Sequence, residues 1–424
     1  MIWQTLKWVI RAALFVIIVS AMTACTMLGL NYASLETENK PQARPEISLP
    51  FDADRARATL ETELYGPWPG SLPVSAGERR VIDDNYLDGR GTLEEITLTI
   101  GDGEDARRFP VVIAIPNQVG ERSVPLLISQ TFSDNCSVFP DDPVTKLDGA
   151  ICDGTNMTGA VGFLATNIFG TYIAYAPIDR YFDAGLAYAS FPGWSFVPDD
   201  NGAAQSVMAE LSPGPQPTSA LMAWAFGFHA AAGVFAEDSR IEAGAIAAIG
   251  HSRYGKSALI ASGWSDRIAA AVAHQSGFGG ASSSRSTTGE TLTRMAKSYP
   301  HWLRPGLGED LEAGYELTLD QHFLLALSAP KPIFLGNGRR DVWSDPNSSF
   351  ILAQAADQAY EAAGSDGLPR GSEMRDFDPS ADISYWLRVG GHSVVSEDID
   401  AFTRFMNAHF GENSPSETGL QSAR

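Results

Sequence analysis

Short apolar runs alternate with longer helical segments through the middle and end of the chain. The runs with strand character are LEEITLTI (93–100), FPVVIAIP (109–116), VPLLISQTF (124–132), GLAYASFP (185–192), AGAIAAIG (243–250), IAAAVAHQ (268–275), KPIFLGNG (331–338) and ISYWLRVG (383–390). Helices are predicted over 218–236, from Tyr254 onward, over 347–363 and over 397–409. Apolar strands that alternate with helices indicate a three-layer α/β sandwich with a mainly parallel central sheet. In such sheets, sites lie at the carboxyl ends of strands.

The first 25 residues differ from the rest of the chain. Lys7 and Arg11 precede an apolar run that starts at Ala12, and small residues follow it up to Cys25. This is the layout of a secretory signal peptide. The stretch MTAC also resembles a lipobox, in which Cys25 would carry the lipid of a bacterial lipoprotein. The alternative is an uncleaved membrane anchor. Both interpretations place the remaining chain outside the cytoplasm, in the periplasm or at the cell surface.

Polar segments flank the region of alternating elements. Residues 26–60 are polar and contain several prolines, which predicts a tether. Residues 411–424 are polar and predict a disordered tail. Between them the sequence contains no internal repeat and no convincing linker, so residues 61–410 are predicted to form a single domain.

Composition excludes some partners and favours others. Of the 424 residues, 44% are hydrophobic and 19% are charged, which is typical of a globular protein. A net charge of −21 argues against a nucleic-acid partner, because binding phosphates requires a basic surface. The Cys and His residues form no cluster with metal-ligand spacing, so no metal site is expected.

Cys136 and Cys152 lie in a loop rich in Asp, Pro and Gly and are predicted to form a disulfide in an oxidising compartment; two free thiols are the alternative.

The stretch GHSRYGKSAL (250–259) follows an apolar strand and opens a helix. Ser252 therefore sits in the context of a nucleophile elbow, a tight turn that exposes the serine hydroxyl above the sheet edge. The usual pattern is G-x-S-x-G, and here Tyr254 occupies the place of the second glycine. Simple capping of the helix by the serine is the alternative. Arg253 and Lys256 lie in the first helical turn, where their positive charges oppose the helix dipole, which indicates a chemical rather than a structural role.

A nucleophilic serine needs a general base, and His392 has the most suitable setting. It lies in a Gly-Gly loop directly after the last predicted strand, where the Ser…Asp/Glu…His order places the base. The other histidines have less suitable settings. His229 lies in an apolar helix, and His301 and His322 have aromatic neighbours, so these three are interpreted as packing residues. His251 adjoins Ser252 and its side chain is expected to point elsewhere, His274 lies within a buried strand, and His409 lies in the last helix.

The acid that orients the imidazole is expected after a strand between the serine and the histidine. The stretch KPIFLGNGRRDVWSDP offers Asp341 and Asp345. Asp345 precedes Pro346 and is predicted to be the N-cap of the next helix. Asp341 lies closer to the strand end and is the candidate acid.

With these residues assembled, the chain resembles the glucuronoyl esterases, the 4-O-methyl-glucuronoyl methylesterase family of α/β-hydrolases. The resemblance is carried by GHSRYGKSAL, SGFGGASSSRSTTGET, YPHWL, LDQHFLLALSAPKPIF, DVWSDP and VGGHS, in that order. The core G-x-S-R-x-G-K is the specific part, because ordinary esterases lack its Arg and Lys. The amino-terminal half matches only as a generic α/β-hydrolase.

The resemblance implies roles for the polar residues around the serine. Arg253 would help to stabilise the oxyanion, and Lys256 would hydrogen-bond sugar hydroxyls. Glu290 would bind hydroxyls of the uronate ring and Trp343 would contact the sugar; a surface or capping carboxylate and a core tryptophan are the alternatives. Arg285 is a further candidate for the same pocket. No cofactor is implied.

The sequence departs from the family pattern at two positions. Many members carry the catalytic Glu just after the strand that follows the nucleophile helix, where this chain has Gln275. Other members use an acid after the later strand, which is where Asp341 lies. The family's polar sugar ligand beyond the GET triplet is not evident, and Ser298 stands near that position.

These features predict an exported serine esterase that cleaves esters of glucuronic acid, such as lignin–xylan cross-links, and acts as a monomer. One alternative is an acetyl or generic carboxylester hydrolase with the same Ser, His and Asp. Another, of a different class, is a non-catalytic surface lipoprotein that binds glycans. The complete Ser/His/Asp set argues against the second alternative.

Overall fold

The ten strands in the described part of the chain form one sheet. The computed structural model describes residues 2–27, 45–117, 122–150, 152, 169–212 and 214–411. The strands are β1 Val74–Ala76, β2 Arg80–Asn85, β3 Gly91–Ile100, β4 Arg107–Pro116, β5 Val124–Thr131, β6 Ala187–Pro192, β7 Ile241–His251, β8 Ala270–His274, β9 Ile333–Gly338 and β10 Ile383–Arg388. Their order across the sheet is β1-β3-β4-β6-β5-β7-β8-β9-β10, with β2 paired to β3.

The two halves of the sheet differ in strand direction. The pairs β6–β5, β5–β7, β7–β8, β8–β9 and β9–β10 are all parallel. The pairs that involve β1 to β4 are antiparallel. The prediction of a mainly parallel central sheet is therefore confirmed, and an antiparallel extension of four strands adds to it.

Helices follow most of the parallel strands. In chain order, the regular α-helices are α1 Ile2–Met27, α2 Ala53–Leu60, α3 Asn135–Val138, α4 Ile178–Asp183, α5 Asn201–Glu210, α6 Ala220–Phe235, α7 Arg253–Trp264, α8 Leu292–Ser298, α9 Leu307–Glu312, α10 His322–Ala326, α11 Pro346–Ala362 and α12 Ser396–Phe410. The eight strands and four helices predicted from the apolar pattern are all present.

Helices cover both faces of the sheet because successive strand residues point to opposite sides. In β7, Ile246 and Ala248 pack into a core shared with α6, α7 and α11. Ala247 and Ile249 pack into a second core, shared with α4 and α12. Each strand at the centre is thus apolar on both faces, which produces the three-layer α/β sandwich.

The predicted tether ends earlier than expected. Its residues 28–44 lie outside the described residues, but from residue 45 the chain packs on the domain. Ala56 and Leu60, one turn apart on α2, are buried in the first core together with Ile47. The Arg57 Nε–H donates to the Gly263 carbonyl at the end of α7, 2.9 Å away. The assignment of residues 45–60 to the tether was therefore wrong, because their few apolar residues recur at helical spacing and pack into the first core.

Cys25 lies within α1. Among the residues that the structure describes, we find no helix with the length and apolar character that crossing a membrane requires. The disordered tail predicted for residues 411–424 lies, apart from residue 411, outside the described residues. Cys136 and Cys152 are joined by a disulfide bond, as predicted.

Candidate active site

Ser252 occupies a sharp turn between β7 and α7. Its backbone has φ 57° and ψ −122°, an unfavourable conformation for a residue with a side chain. The turn brings Gly250 so close to the next helix that a Cβ at this position would lie 2.1 Å from the Tyr254 carbonyl oxygen. The Ser252 N–H donates to the His274 carbonyl at the end of β8, 2.8 Å away. This geometry is that of a nucleophile elbow, and it requires glycine at 250.

The second small residue of the elbow is Gly255, one place later than in G-x-S-x-G. A Cβ at 255 would lie 3.0 Å from the carbonyl oxygens of both Gly250 and His274, closer than most Cβ contacts. Tyr254, in the usual glycine position, is buried instead. The shifted glycine therefore still lets the helix approach the strand ends.

His392 and Asp341 meet at the carboxyl edge of the sheet. Asp341 follows β9 and His392 follows the neighbouring strand β10. The His392 Nδ1 lies 2.7 Å from the Asp341 Oδ2. Burial of the Asp341 carboxyl opposes ionisation, but the interactions with His392 and Ser344 outweigh burial and lower the pKa of Asp341. The carboxyl is therefore ionised at neutral pH and orients the imidazole through Nδ1.

The serine turn lies at the same edge as this pair. The ring of His251, the residue directly before Ser252, has its centroid 4.5 Å from that of His392. The structure thus brings together the edge residues predicted from three separate stretches of sequence. Asp345, the alternative acid, caps α11 by accepting the Ser348 N–H at 3.2 Å, as predicted.

Arg253 is held by a carboxylate that no motif in the sequence indicates. Its guanidinium forms an ion pair with Asp199, and its Cζ lies 4.7 Å from the ring centroid of Trp302. Asp199 also accepts from His301 Nε2 at 3.0 Å and from Trp302 Nε1 at 2.8 Å. Burial would raise the pKa of Asp199, but hydrogen bonds from His301 and the charge of Arg253 lower it. The interpretation of His301 as a packing residue was therefore incomplete.

Lys256 and Glu290 place opposite charges in a buried region beside the turn. Lys256 is 3% exposed and donates from Nζ to the Ser276 carbonyl at 2.6 Å. Burial lowers the pKa of Lys256 to about 8, although Glu290 acts in the opposite direction. Burial raises the pKa of Glu290, and Lys256 and His392 counteract it. Two incompletely paired buried charges are suited to binding neutral polar groups such as hydroxyls.

Trp343 adjoins Glu290 through the backbone. The Glu290 N–H donates to the Trp343 carbonyl at 3.0 Å, and Gly289, with φ +80°, lies so close that a Cβ would be 2.7 Å from the same oxygen. The Trp343 ring is half-buried and carries the Arg294 guanidinium, with Cζ 4.7 Å from the ring centroid. The ring is therefore not a buried core residue.

Arg285 and Ser298 lie in different surroundings. The Arg285 side chain is 56% exposed and its Nη1 lies 4.0 Å from Asp320. Its Nη2 donates to the Leu317 carbonyl at 3.4 Å. Ser298 is exposed at the end of α8. The contacts of Arg285 are thus made with the segment 317–320.

A second polar chain runs beneath His392. The Nδ1 atoms of His251 and His274 lie 2.9 Å apart, and the His274 Nε2 lies 3.3 Å from the Asp398 Oδ1. Asp398 in turn accepts from the Arg388 Nε at 2.7 Å. Burial lowers the pKa of both histidines, so both are neutral at pH 7. Across the described part of the chain, no group of three or more His, Cys, Asp or Glu residues could hold a metal ion.

Comparisons with known proteins agree with this geometry. A family model described as "Glucuronyl esterase, fungi" matches residues 156–364. The chain is 28% identical over 371 residues to carbohydrate esterase MZ0003 of an unknown prokaryotic organism, covering 84% of each protein. It is 29% identical over 199 residues to the 4-O-methyl-glucuronoyl methylesterase of Schizophyllum commune, covering 45% of this chain and 47% of the relative.

A solved structure extends the likeness over nearly the whole chain. It is a promiscuous CE15 esterase from the marine bacterial metagenome, with a TM-score of 0.75 and 25% sequence identity. The alignment covers 90% of this chain and all of that one. Together with the sheet topology and the arrangement at its carboxyl edge, these matches show that the chain belongs to the glucuronoyl esterases, a family of carboxylic ester hydrolases.

Proposed function

We propose that this protein is a serine esterase that hydrolyses esters of glucuronic and 4-O-methyl-glucuronic acid through an acyl-enzyme. The observation that carries the proposal is the hydrogen bond between His392 and the buried Asp341, at the sheet edge that also holds the strained turn of Ser252. The buried pair of Lys256 and Glu290 next to that turn supports a polyhydroxylated acyl group. The name of the Schizophyllum commune relative supports the uronate specificity.

The first step is attack by Ser252 on the ester. His392 takes the proton of the Ser252 hydroxyl, and Oγ adds to the C6 carbonyl carbon of the uronate. Asp341 holds the Nδ1–H of His392, which leaves Nε2 free to accept the proton, and its negative charge stabilises the imidazolium. The ionised, buried state of Asp341 supports this role.

The negative charge on the former carbonyl oxygen needs stabilisation. The first turn of α7 offers backbone N–H groups that have no partner within the helix, and the guanidinium of Arg253 adds a full positive charge. Its pairing with Asp199 and its position over Trp302 keep it in one orientation. Such preorganised donors usually make the largest contribution to rate acceleration.

The tetrahedral intermediate then collapses. The bond to the alcohol breaks, His392 gives its proton to the departing oxygen, and the uronoyl group remains on Ser252. Water enters, His392 removes its proton, and the resulting hydroxide attacks the acyl carbon. Collapse of this second intermediate returns the proton to the Ser252 Oγ and releases the uronic acid.

We assign recognition of the uronate ring to Lys256, Glu290 and Trp343. The ammonium of Lys256 donates to ring hydroxyls and the carboxylate of Glu290 accepts from them, since each has spare hydrogen-bonding capacity. Trp343 is only half-buried, which leaves part of its side chain for contact with the sugar. The surroundings of Arg285 do not support a role for it in this pocket, because its contacts are with Leu317 and Asp320.

A comparison of two esters tests the substrate class. Benzyl glucuronate and p-nitrophenyl acetate share the ester bond but only the first carries a sugar. We expect a higher kcat/KM for benzyl glucuronate, and Ser252→Ala is expected to abolish turnover while leaving glucuronate binding measurable by calorimetry. Activity on the acetate alone would overturn the proposed substrate, and undiminished turnover by Ser252→Ala would overturn the mechanism.

A broader esterase activity is the second candidate. The solved relative described as a promiscuous CE15 esterase favours it. Comparable kcat/KM values for the glucuronate and acetate esters would support this candidate over a dedicated uronate esterase. Cleavage of lignin–xylan cross-links is the natural reaction that we infer for a dedicated enzyme.

We also propose export of the protein from the cytoplasm. The basic residues and apolar run before Cys25 and the disulfide between Cys136 and Cys152 support it. We further propose that Cys25 is lipidated after export. Expression in a bacterial host fed labelled palmitate tests it: the label should enter the unaltered protein and not Cys25→Ser, and its absence from both would overturn lipidation.

A further inference from the structure

Gln275 lies at the carboxyl edge of the sheet, directly after β8. Its side chain is almost fully buried, with a residue exposure of 1%. Its backbone has φ +49°, in the left-handed region that residues with side chains rarely adopt. The Gln275 N–H donates to the Gly336 carbonyl of β9 at 2.7 Å. The strained backbone turns the side chain towards the loop after β10.

The amide of Gln275 bonds the two residues that flank His392. Its Nε2 donates to the Gly391 carbonyl at 2.7 Å. Its Oε1 accepts from the Ser393 N–H at 2.9 Å. One side chain thus fixes the backbone immediately before and immediately after the imidazole-bearing residue.

We propose that Gln275 is a positioning residue that holds the His392 loop in the orientation needed for proton transfer at Ser252. The loop VGGHS contains two glycines, and Gly390 has φ +137°, so its own conformational preference is weak. The bond to Asp341 fixes the imidazole only at Nδ1. The two hydrogen bonds of the Gln275 amide to Gly391 and Ser393, which we call the clamp, fix the backbone from which the imidazole ring extends. This inference rests on the proposed role of His392 as the base.

The neighbouring residues are adapted to this clamp. At Gly338, a Cβ would lie 2.5 Å from the Gln275 Nε2 and 2.6 Å from the Gly391 carbonyl oxygen. Glycine at the end of β9 therefore leaves the space through which the amide reaches the loop. Arg388 supports the loop from the other side, donating to the Ser393 Oγ at 2.9 Å and to Gly391 at 3.4 Å.

The chemistry explains why the residue is an amide. The clamp needs one donor, for the Gly391 carbonyl, and one acceptor, for the Ser393 N–H, and a neutral amide side chain supplies both from the two ends of one planar group. A carboxylate would face the carbonyl oxygen of Gly391 with negative charge. Asp341 already supplies the charge that orients the imidazole, so Gln275 is free to act on the backbone.

The test compares Gln275→Leu with a matched control, Gln321→Leu. Gln321 is also buried and also makes two hydrogen bonds, from the Tyr65 hydroxyl at 2.8 Å and to the Ser284 hydroxyl at 3.3 Å. Both variants lose two hydrogen bonds of a buried amide, and both should unfold at a lower temperature. Only the first loosens the His392 loop.

The readout is the rate at which diethyl 4-nitrophenyl phosphate modifies Ser252. The Oγ attacks phosphorus, 4-nitrophenolate leaves, and His392 takes the serine proton. The reaction needs the base but no sugar, so a failure of the proposed uronate specificity would not affect it. We expect Gln275→Leu to lower this rate about 10- to 100-fold, because small misplacements of reacting groups have effects of this size. The rate of Gln321→Leu should stay within about twofold of the unaltered protein.

A rate for Gln275→Leu within twofold of the unaltered protein would overturn the proposal, and so would equal losses in the two variants. If Gln275→Leu fails to fold, Gln275→Met takes its place. Methionine has an unbranched side chain but makes neither hydrogen bond to the loop, so the rate should fall. An undiminished rate in this variant would overturn the proposal as well.

Discussion

Asp341 and His392 meet because they follow adjacent parallel strands in register. Gly338, the last residue of β9, pairs with Arg388, the last residue of β10. Three residues beyond the first and four beyond the second, the carboxylate and the imidazole are 2.7 Å apart. The parallel register thus brings together two residues that are distant in sequence.

The first prediction concerns this pair. Asp341→Asn keeps the shape of the side chain but removes the charge that stabilises the imidazolium. We expect kcat on benzyl glucuronate to fall about 10³- to 10⁴-fold with little change in KM. Asp345→Asn is the matched control, because asparagine caps helices as well as aspartate does, and it should keep kcat within about twofold. Equal activity of the two variants would remove Asp341 from the mechanism.

The second prediction concerns Arg253. Arg253→Met should lower kcat about 10²- to 10³-fold, the loss found on removing one donor to an oxyanion. Arg304→Met is the control: this arginine also pairs with a carboxylate, Asp310, and also lies over an aromatic ring, that of Tyr315. Its activity should be nearly unchanged. If Arg253→Met raised KM and left kcat intact, the guanidinium would act in substrate binding alone.

The third prediction concerns Asp199, which holds the guanidinium. Asp199→Asn keeps an acceptor for His301 and Trp302 but removes the negative charge beside Arg253. We expect kcat to fall about tenfold, less than on loss of the arginine itself, because the guanidinium remains but is less well oriented. A double variant with Arg253→Met should be no slower than Arg253→Met alone. Additive losses would mean that Asp199 acts independently of Arg253.

The sequence predicts those site residues whose placement depends on local pattern. Ser252, Asp341 and His392 each follow an apolar strand by a few residues, and glycine turns precede or adjoin them. Because parallel strands end at one edge, this pattern alone brings them near each other. The same reasoning placed Asp345 correctly as a cap.

Other contacts depend on how loops pack, which no local pattern encodes. Asp199 lies beside Asp200, which caps α5, and nothing in the sequence distinguishes their roles. Its partners His301 and Trp302 come about a hundred residues later, from a separate loop. The strand β2, RVIDDN, was missed because a polar strand at the sheet edge lacks the apolar run of a buried one.

The fourth prediction concerns the stability contributed by Asp398. This buried carboxylate accepts from Arg388 Nε at 2.7 Å, from the Trp386 indole at 3.0 Å and from the Val395 N–H at 3.0 Å. Asp398→Asn leaves the guanidinium of Arg388 buried without its counter-charge. We expect the free energy of unfolding to fall by about 3 to 5 kcal/mol, measured by urea denaturation at pH 7. Asp400→Asn, on the exposed side of the same helix, should change it by less than about 1 kcal/mol.

The pH dependence of the stability difference between the unaltered protein and Asp398→Asn checks this prediction. Burial opposes ionisation of Asp398, but His274 and Arg388 outweigh it and lower its pKa to about 2. A carboxyl with a pKa lowered by folding stabilises the protein above its unfolded pKa of about 4. That contribution is lost as the pH falls from about 4 towards 2. The stability difference between the unaltered protein and Asp398→Asn should therefore shrink over this range. A stability difference that stays constant over this pH range would contradict a stabilising role of the ionised Asp398 carboxylate.

The last prediction concerns Lys256, whose pKa is about 8 because burial disfavours its charged form. The ammonium is present below this pH and is lost above it, so its bonds to sugar hydroxyls weaken as the pH rises. We expect KM for benzyl glucuronate to rise about tenfold between pH 7 and 9.5, in line with the loss of a charged hydrogen bond. The KM for p-nitrophenyl acetate, which has no sugar, should not follow this curve. Lys256→Met should show the high KM at every pH, and a pH-dependent KM in this variant would assign the titration to another group.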